Sequence, residues 1–237
     1  MKTLTPLLLP LLLLLASCQK SDKPDALFPL DAGHQWTYRV SSQVGDEPVE
    51  VEALTLRTLG RESLAGLGDV PSWHRRSDNG IDYWLRADET GIFRVGSKSD
   101  IDPEVKPDRP IRFVLKAPML VGTAWTAPTT AYLLARRNEF PREIRHTHPN
   151  IPMSFRIEAL NEKVVVAAGK FDGCLRVKGE ALLRIAAVPA PDFKDLILTQ
   201  MEWFCPGVGL VKMTRSEPAG SMFLTGGTRN LELMSWD

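Results

Sequence analysis

"WHRRSDNGIDYWLR", Trp73–Arg86, holds two aromatic-rich runs joined by Asn79-Gly80. Asn-Gly supplies the positive φ angles of a tight turn, and aromatic residues favour extended chain, so the stretch predicts a β-hairpin. Downstream, "ADETGIFRVG" (87–96) repeats the grammar, with a turn ending at Gly91 and a strand over Ile92–Val95. Upstream, Trp36, Tyr38 and Val40 share one parity and Gln35, Thr37 and Arg39 the other, the alternation of a half-buried strand. Over Val49–Leu59 the apolar phase slips from odd (Val49, Val51) to even positions (Leu54, Leu56), which predicts a bulge near Ala53 or a curling strand.

Farther out the same vocabulary continues. Ser97–Pro110 is a polar, proline-containing loop, and extended apolar chain resumes over residues 111–127. Ala127–Pro152 is the least regular part, a flap between prolines with a short helix predicted over Tyr132–Glu139. Strands follow over Ser154–Leu160, Lys163–Ala168, Cys174–Ile185, Leu198–Cys205, Leu210–Arg215 and Leu231–Trp236. Turns are expected at Asn161-Glu162, through "AGKFDG" (168–173), in a loop over 186–195, and at "PGVG" (206–209). Strands this frequent and helices this few predict a mainly β fold, an antiparallel sheet curled as a barrel, half-barrel or sandwich in one domain over 27–237. Pro29-x-x-x-Gly33-x-x-Trp36 recurs as Pro118-x-x-x-Gly122-x-x-Trp125. Either two β units share an origin, or a proline turn, a permissive glycine and a buried Trp recur as common turn-to-strand chemistry.

The N-terminus carries a different signal. Lys2 and the short apolar run Leu7–Leu15 read as a secretory signal peptide, too short to span a bilayer. Leu15-Ala16-Ser17-Cys18 resembles the bacterial lipobox, in which the cysteine thiol takes a diacylglyceryl group; the alternatives are an ordinary cleavage site or a buried helix. The lipobox implies removal of residues 1–17, acyl chains on Cys18, and a tether over 18–26 that keeps the domain near the membrane. Its seven polar residues 19–25 reach roughly 25 Å. Two or more chains anchor stably where one does not. Gln19, where such lipoproteins carry aspartate for inner-membrane retention, implies the outer membrane facing the periplasm.

With 29 basic and 29 acidic residues the chain is neutral, which excludes the basic field of a nucleic-acid binder. A hydrophobic share of 43% is that of a folded protein. Lipid on Cys18 would leave Cys174 and Cys205, either as a disulfide in an oxidising compartment or as two buried thiols. Closing a loop of about 30 residues stabilises by roughly 3 to 4 kcal/mol through chain entropy.

Phe28-Pro29-Leu30-x-x-Gly33-x-x-Trp36-x-Tyr38, "AGKFDGCLRV" (168–177) and "EWFCPGVGLVK" (202–212) resemble phrases of a group of bacterial lipoproteins of unassigned activity. The resemblance covers both ends of the mature domain, leaves 127–152 unmatched, and implies an anchored, β-rich envelope protein with no catalytic residues to carry over.

Chemistry-bearing motifs are few. His146-Thr147-His148 places two imidazoles at alternate positions, with Glu143 or His74 as a third metal ligand in space; two exposed histidines in a proline-bounded loop are the plainer account. His34 reads as a strand residue. There is no nucleophile elbow, phosphate loop or zinc-helix motif, and no cofactor is implied. Asp82, Asp88, Glu89, Asp100 and Asp102 lie where solvation explains carboxylates, and the arginines of "RRSDNG" and "ARRNEFPREIR" read as solvated faces or lipid-headgroup contacts. Trp73, Tyr83, Trp84 and Phe93 occupy adjacent strands with Tyr83 and Trp84 at opposite parity, so the sheet is apolar on both faces, one filling the core and the other packing under the flap or lining a groove.

Three readings follow: a non-enzymatic envelope lipoprotein binding a protein or lipid-like ligand; a metal-dependent hydrolase built on His146 and His148; and an accessory subunit of an envelope assembly.

Overall fold

The computed structural model describes residues 24–137, 140, 142–187, 192–219 and 223–237. The signal peptide and Cys18 lie outside them, as do residues 138 and 139 of the expected helix. After a helical turn, α1 (Pro24–Leu27), the chain forms strands β1 (Gln35–Val44), β2 (Glu50–Glu62), β3 (Ser72–Ser77), β4 (Ile81–Asp88), β5 (Gly91–Ser99), β6 (Lys106–Lys116) and β7 (Ala124–Thr129). The two-residue β8 (Ala135–Arg136) follows, then β9 (Ile151–Val166), β10 (Gly169–Ala187), β11 (Asp192–Cys205), β12 (Gly209–Glu217), the two-residue β13 (Leu224–Thr225) and β14 (Gly227–Trp236). Two 3-10 turns, Ala65–Leu67 and Ile144–His146, complete the list.

Twelve strands form one antiparallel sheet in the order β6-β5-β4-β3-β2-β1-β14-β12-β11-β10-β9-β7, and the sheet curls into a nearly closed barrel. Its seam lies between β6 and β7, which share no ladder. Proline lacks the N–H a ladder needs and so suits edges. Pro107 and Pro110 stand on β6 and Pro128 on β7, which is why a stretch read as loop to Pro110 is an edge strand from Lys106 onward.

Period-two alternation sets the two faces. Trp36, Tyr38 and Val40 of β1 point inward, and Thr37 and Arg39 outward, as their parity predicts. The central core joins Ile92, Leu115, Trp125, Met153, Ile157, Leu175 and Leu198 with Leu27, Phe28 and Leu30 of the N-terminal segment. Leu27 is buried and Ala26 accepts a hydrogen bond from the Gly207 N–H at 2.7 Å, so apolar burial draws the chain into the barrel at Leu27.

The opening hairpin forms as expected, except that its turn has three residues, Asp78-Asn79-Gly80, with Gly80 at φ +83°. Four expectations fail for physical reasons. No bulge occurs at Ala53: β1 and β2 pair without a break from Gln35–Arg57 to Ser42–Glu50, because Val49 and Val51 are simply exposed, and the irregularity falls between Thr58 and Gly60. Asn161 does not turn the chain; it takes φ +60° inside a continuous β9, beside register shifts against β10. The chain reverses instead at Ala167-Ala168, and Phe171 stays in strand. The helix over 132–139 is absent in its described part, where β8 pairs with β13. The loop over 186–195 is strand up to Ala187 and from Asp192; 188–191 lie outside the described residues.

The two proline-glycine-tryptophan phrases are built alike. Gly33 and Gly122 take φ +95° and +98°. The Gly33 N–H donates to the Thr58 carbonyl and the Thr58 N–H to that of His34; Gly122, Ile157 and Thr123 repeat the pair, all four at 2.9 Å. Trp36 then faces Leu56, and Trp125 faces Phe155.

Candidate functional site

The lumen is unevenly filled. At the end where Gln35 and Asp237 exchange backbone hydrogen bonds, a cavity of about 230 Å³ is lined by the apolar Phe28, Trp36, Leu56, Leu85, Val114 and Leu210, by Tyr38 and Tyr83, and by three arginines. The register explains how they meet. Arg75 faces Thr58, Leu85 faces Arg94, and Arg94 faces Arg112, so β3 to β6 turn one face inward. The Trp36 indole donates to the Val208 carbonyl at 2.6 Å and the Tyr38 hydroxyl to the Leu210 carbonyl at 2.9 Å, which satisfies the wall's polar atoms.

The arginines differ in their partners. Arg94 holds Asp108 through two bonds of 2.6 and 2.7 Å. Arg75, 6% exposed, donates to Thr58 Oγ1 at 3.2 Å and the Pro29 carbonyl at 2.7 Å, and lies 4.3 and 4.5 Å from the ring centres of Trp36 and Phe28. Aromatic faces and neutral oxygens solvate a cation without cancelling its charge. Burial lowers the Arg75 pKa to about 10, against the Tyr38 hydroxyl, which burial raises. Burial and the neighbouring Arg94 lower that of Arg112. Among the described residues, neither Arg75 nor Arg112 forms an ion pair, and the Arg112 side chain makes no hydrogen bond. Glu202 of β11 faces the lumen too; burial pushes its carboxyl up to about 7, against a 2.7 Å bond from Gln200 and the charges of Arg112 and Arg215.

The opposite end is closed. Arg215 donates from Nε to Glu217 at 2.6 Å, from Nη1 to Thr129 and Gln200, and from Nη2 to the Thr130 carbonyl. The Glu217 carboxylate, fully buried, also accepts the backbone N–H groups of Tyr132, Leu133 and Leu134 at 2.8 to 3.2 Å. It thereby pins the flap across the lumen.

The residues expected to line a groove are divided by the sheet. Tyr83 lines the cavity and Trp73 packs on the central core under Arg61. Trp84 and Phe93 lie on the outer face with Val95, covered by Leu64, Leu67 and Val105. The sheet is thus apolar on both faces here, and a loop covers the outer one.

His146 and His148 are exposed around the second 3-10 turn; His146 Nε2 is 3.6 Å from Glu143 Oε2 and His148 Nδ1 is 3.0 Å from Thr147 Oγ1. Among the described residues no group of three His, Cys, Asp or Glu could hold a metal. His74 is engaged elsewhere, with Nδ1 3.0 Å from Glu62, Nε2 2.7 Å from Asp82, and its ring stacked on Trp84. Asp82 is buried and also holds Arg76, so it is not the solvated carboxylate its loop position implies. His34 sits at the start of β1, 3.0 Å from the Asp237 carbonyl. Cys174 and Cys205 form a disulfide between β10 and β11, both buried.

Sequence reading passed over Arg94, Arg112 and Glu202, and took Arg75, in "RRSDNG", for part of a solvated or headgroup-contacting face, whereas the fold buries it. Its inward face was legible through parity, shared with Trp73 and Ser77; Arg94 and Arg112 meet across the β5–β6 pairing, and Glu202 joins them only when the sheet curls.

No family model matches the chain, and no curated protein matches it. Among solved structures, the chain is similar to a candidate lipoprotein of Parabacteroides distasonis, at 12% identity and a TM-score of 0.37, over 89% of this chain and 98% of that one. It is also similar to a candidate exported protein of YmcC-like fold from Bacteroides fragilis, at 13% identity and a TM-score of 0.37, over 87% and 96%. Superpositions at this level assign no activity to the chain.

Proposed function

We propose that this chain is a lipid-anchored, non-enzymatic binding protein of the bacterial cell envelope, and that its barrel lumen holds an apolar or amphiphilic small molecule. The observation that carries the reading is the lumen cavity, walled by aromatic and aliphatic side chains with a few polar groups, which is the usual make-up of a small-molecule site. At about 230 Å³ it falls a little below the range of about 300 to 1,000 Å³ for drug-sized ligands, so it suits a small amphiphile or one end of a longer chain. Phe28 and Pro29, which line it, lie ten residues or so after the lipobox cysteine, so the membrane and the cavity share one end of the barrel. Acylation of Cys18, with Gln19 after it, directs the protein to the outer membrane on its periplasmic side.

Native mass spectrometry of the chain from Gln19 onward, purified from the periplasm of its own host, tests the binding claim. A co-purifying small molecule that is lost in Val114→Trp, which fills the cavity, is the expected result. A bare chain that also takes up no amphiphile added to it overturns the reading. The anchor has its own test: Cys18→Ala should free the protein from membranes, and normal membrane retention would refute lipidation.

A further inference from the structure

Arginine inside a barrel is a commitment of charge, and an uncompensated buried cation is rare because desolvating it is costly. The cavity wall holds three guanidinium groups, and one acid, Asp108, is taken by Arg94. Arg75 rests on aromatic faces and neutral oxygens, and Arg112 has neither hydrogen bond nor ion pair among the described residues. The second acid in range, Glu202, is weakened as a counter-charge because burial favours its protonated form. A cavity that is apolar over most of its wall and cationic on one side is complementary to one kind of molecule.

We infer that the lumen takes a single-chain amphiphile with an anionic head, a carboxylate or a phosphate, the head meeting Arg112 and the tail lying against Leu56, Leu85, Val114 and Leu210. This rests on the binding reading above and adds the charge of the ligand to it. Arg112 is the recognition residue, because its five donors are unspent. Arg75, locked by Pro29 and Thr58, is a second cation on the cavity wall. A carboxylate or phosphate accepts both N–H groups of one edge of a guanidinium in a pair of parallel bonds.

The test is calorimetric titration of the chain from Gln19 onward, which contains every described residue, with five probes: decanoate, decyl phosphate, decanol, decyltrimethylammonium and inorganic phosphate. Decanoate and decyl phosphate should bind at least roughly tenfold more tightly than decanol, as a charge-assisted hydrogen bond implies, and the cation more weakly still. Arg112→Gln should erase that preference, bringing the Kd for decanoate and decyl phosphate to within about twofold of that for decanol. Val114→Trp should weaken every ten-carbon probe. Decanol binding as tightly as decanoate, an unaltered preference in Arg112→Gln, or ten-carbon probes that bind Val114→Trp as tightly as wild type would each overturn the assignment. Inorganic phosphate binding as tightly as decyl phosphate would overturn the amphiphile and leave a plain anion site. Failure of every ten-carbon probe would instead remove the lumen-binding reading itself, so the two failures are distinct.

Discussion

Arg215 and Arg112 are the same side chain turned into the same lumen, both within electrostatic reach of Glu202, and their surroundings could hardly differ more. Arg215 spends its donors on Glu217, Thr129, Gln200 and Thr130, and its partner carboxylate spends its remaining capacity on three N–H groups of the flap. Arg112 spends none. A buried arginine that is saturated is a structural bolt, and its end of the barrel is shut. One left with open donors beside a void marks the end that receives something.

Breaking the closed end should produce the largest effect. Glu217→Ala strands a buried guanidinium and three N–H groups at once, and removing one partner of a buried pair typically costs about 3 to 5 kcal/mol. The urea midpoint should fall accordingly, with hydrogen exchange quickening in Tyr132–Leu134; a loss within experimental error would mean the flap is held by other contacts. Next, Cys174→Ser with Cys205→Ser should lower stability by roughly 3 kcal/mol, and peptide mapping without reductant should recover the two cysteines joined.

A smaller effect lies between the two ends, at Glu202. Its folded pKa is raised to about 7 from an ordinary 4.5, so the folded state binds the extra proton, and stability falls as pH climbs from about 4.5 to 7. The stability of wild type minus that of Glu202→Gln should therefore decline across that window by no more than about 3 kcal/mol and be flat below it. A difference that rises with pH would reverse the sign and refute the burial argument. The smallest effect sharpens the comparison most. Arg112→Gln should cost no stability and can raise it slightly, since no partner is lost and a buried charge is removed, in contrast to Glu217→Ala. A large loss there would make Arg112 another bolt.

The fold was legible where one signal acted alone. Trp36, Tyr38 and Val40 declared their face by parity, Gly80 its turn, and Cys174 and Cys205 their bond. It was misread where one residue type serves two geometries. Asn161 takes the left-handed conformation that tight turns use, and β9 uses it for an irregularity within a strand. Pro107 and Pro110 break a central strand but are welcome at an edge, and no local pattern says which strand will be the edge. The apolar residues over 132–134 lack helical partners because Glu217, more than eighty residues away, captures their N–H groups. The candidate site suffered most from this, because Arg75, Arg94 and Arg112 come from three strands whose pairing no local pattern announces, and Glu202 reaches Arg112 only across the curled sheet.

The seam between β6 and β7 has a mechanical consequence. A cylinder closed by hydrogen bonds all the way round has its girth fixed by strand number and shear, and it cannot widen without breaking a ladder. This sheet is a clasp with a gap. β6 carries Arg112 and Val114 on one jaw, so the jaw that touches the cavity can swing outward by bending the sheet, with no row of backbone bonds to tear.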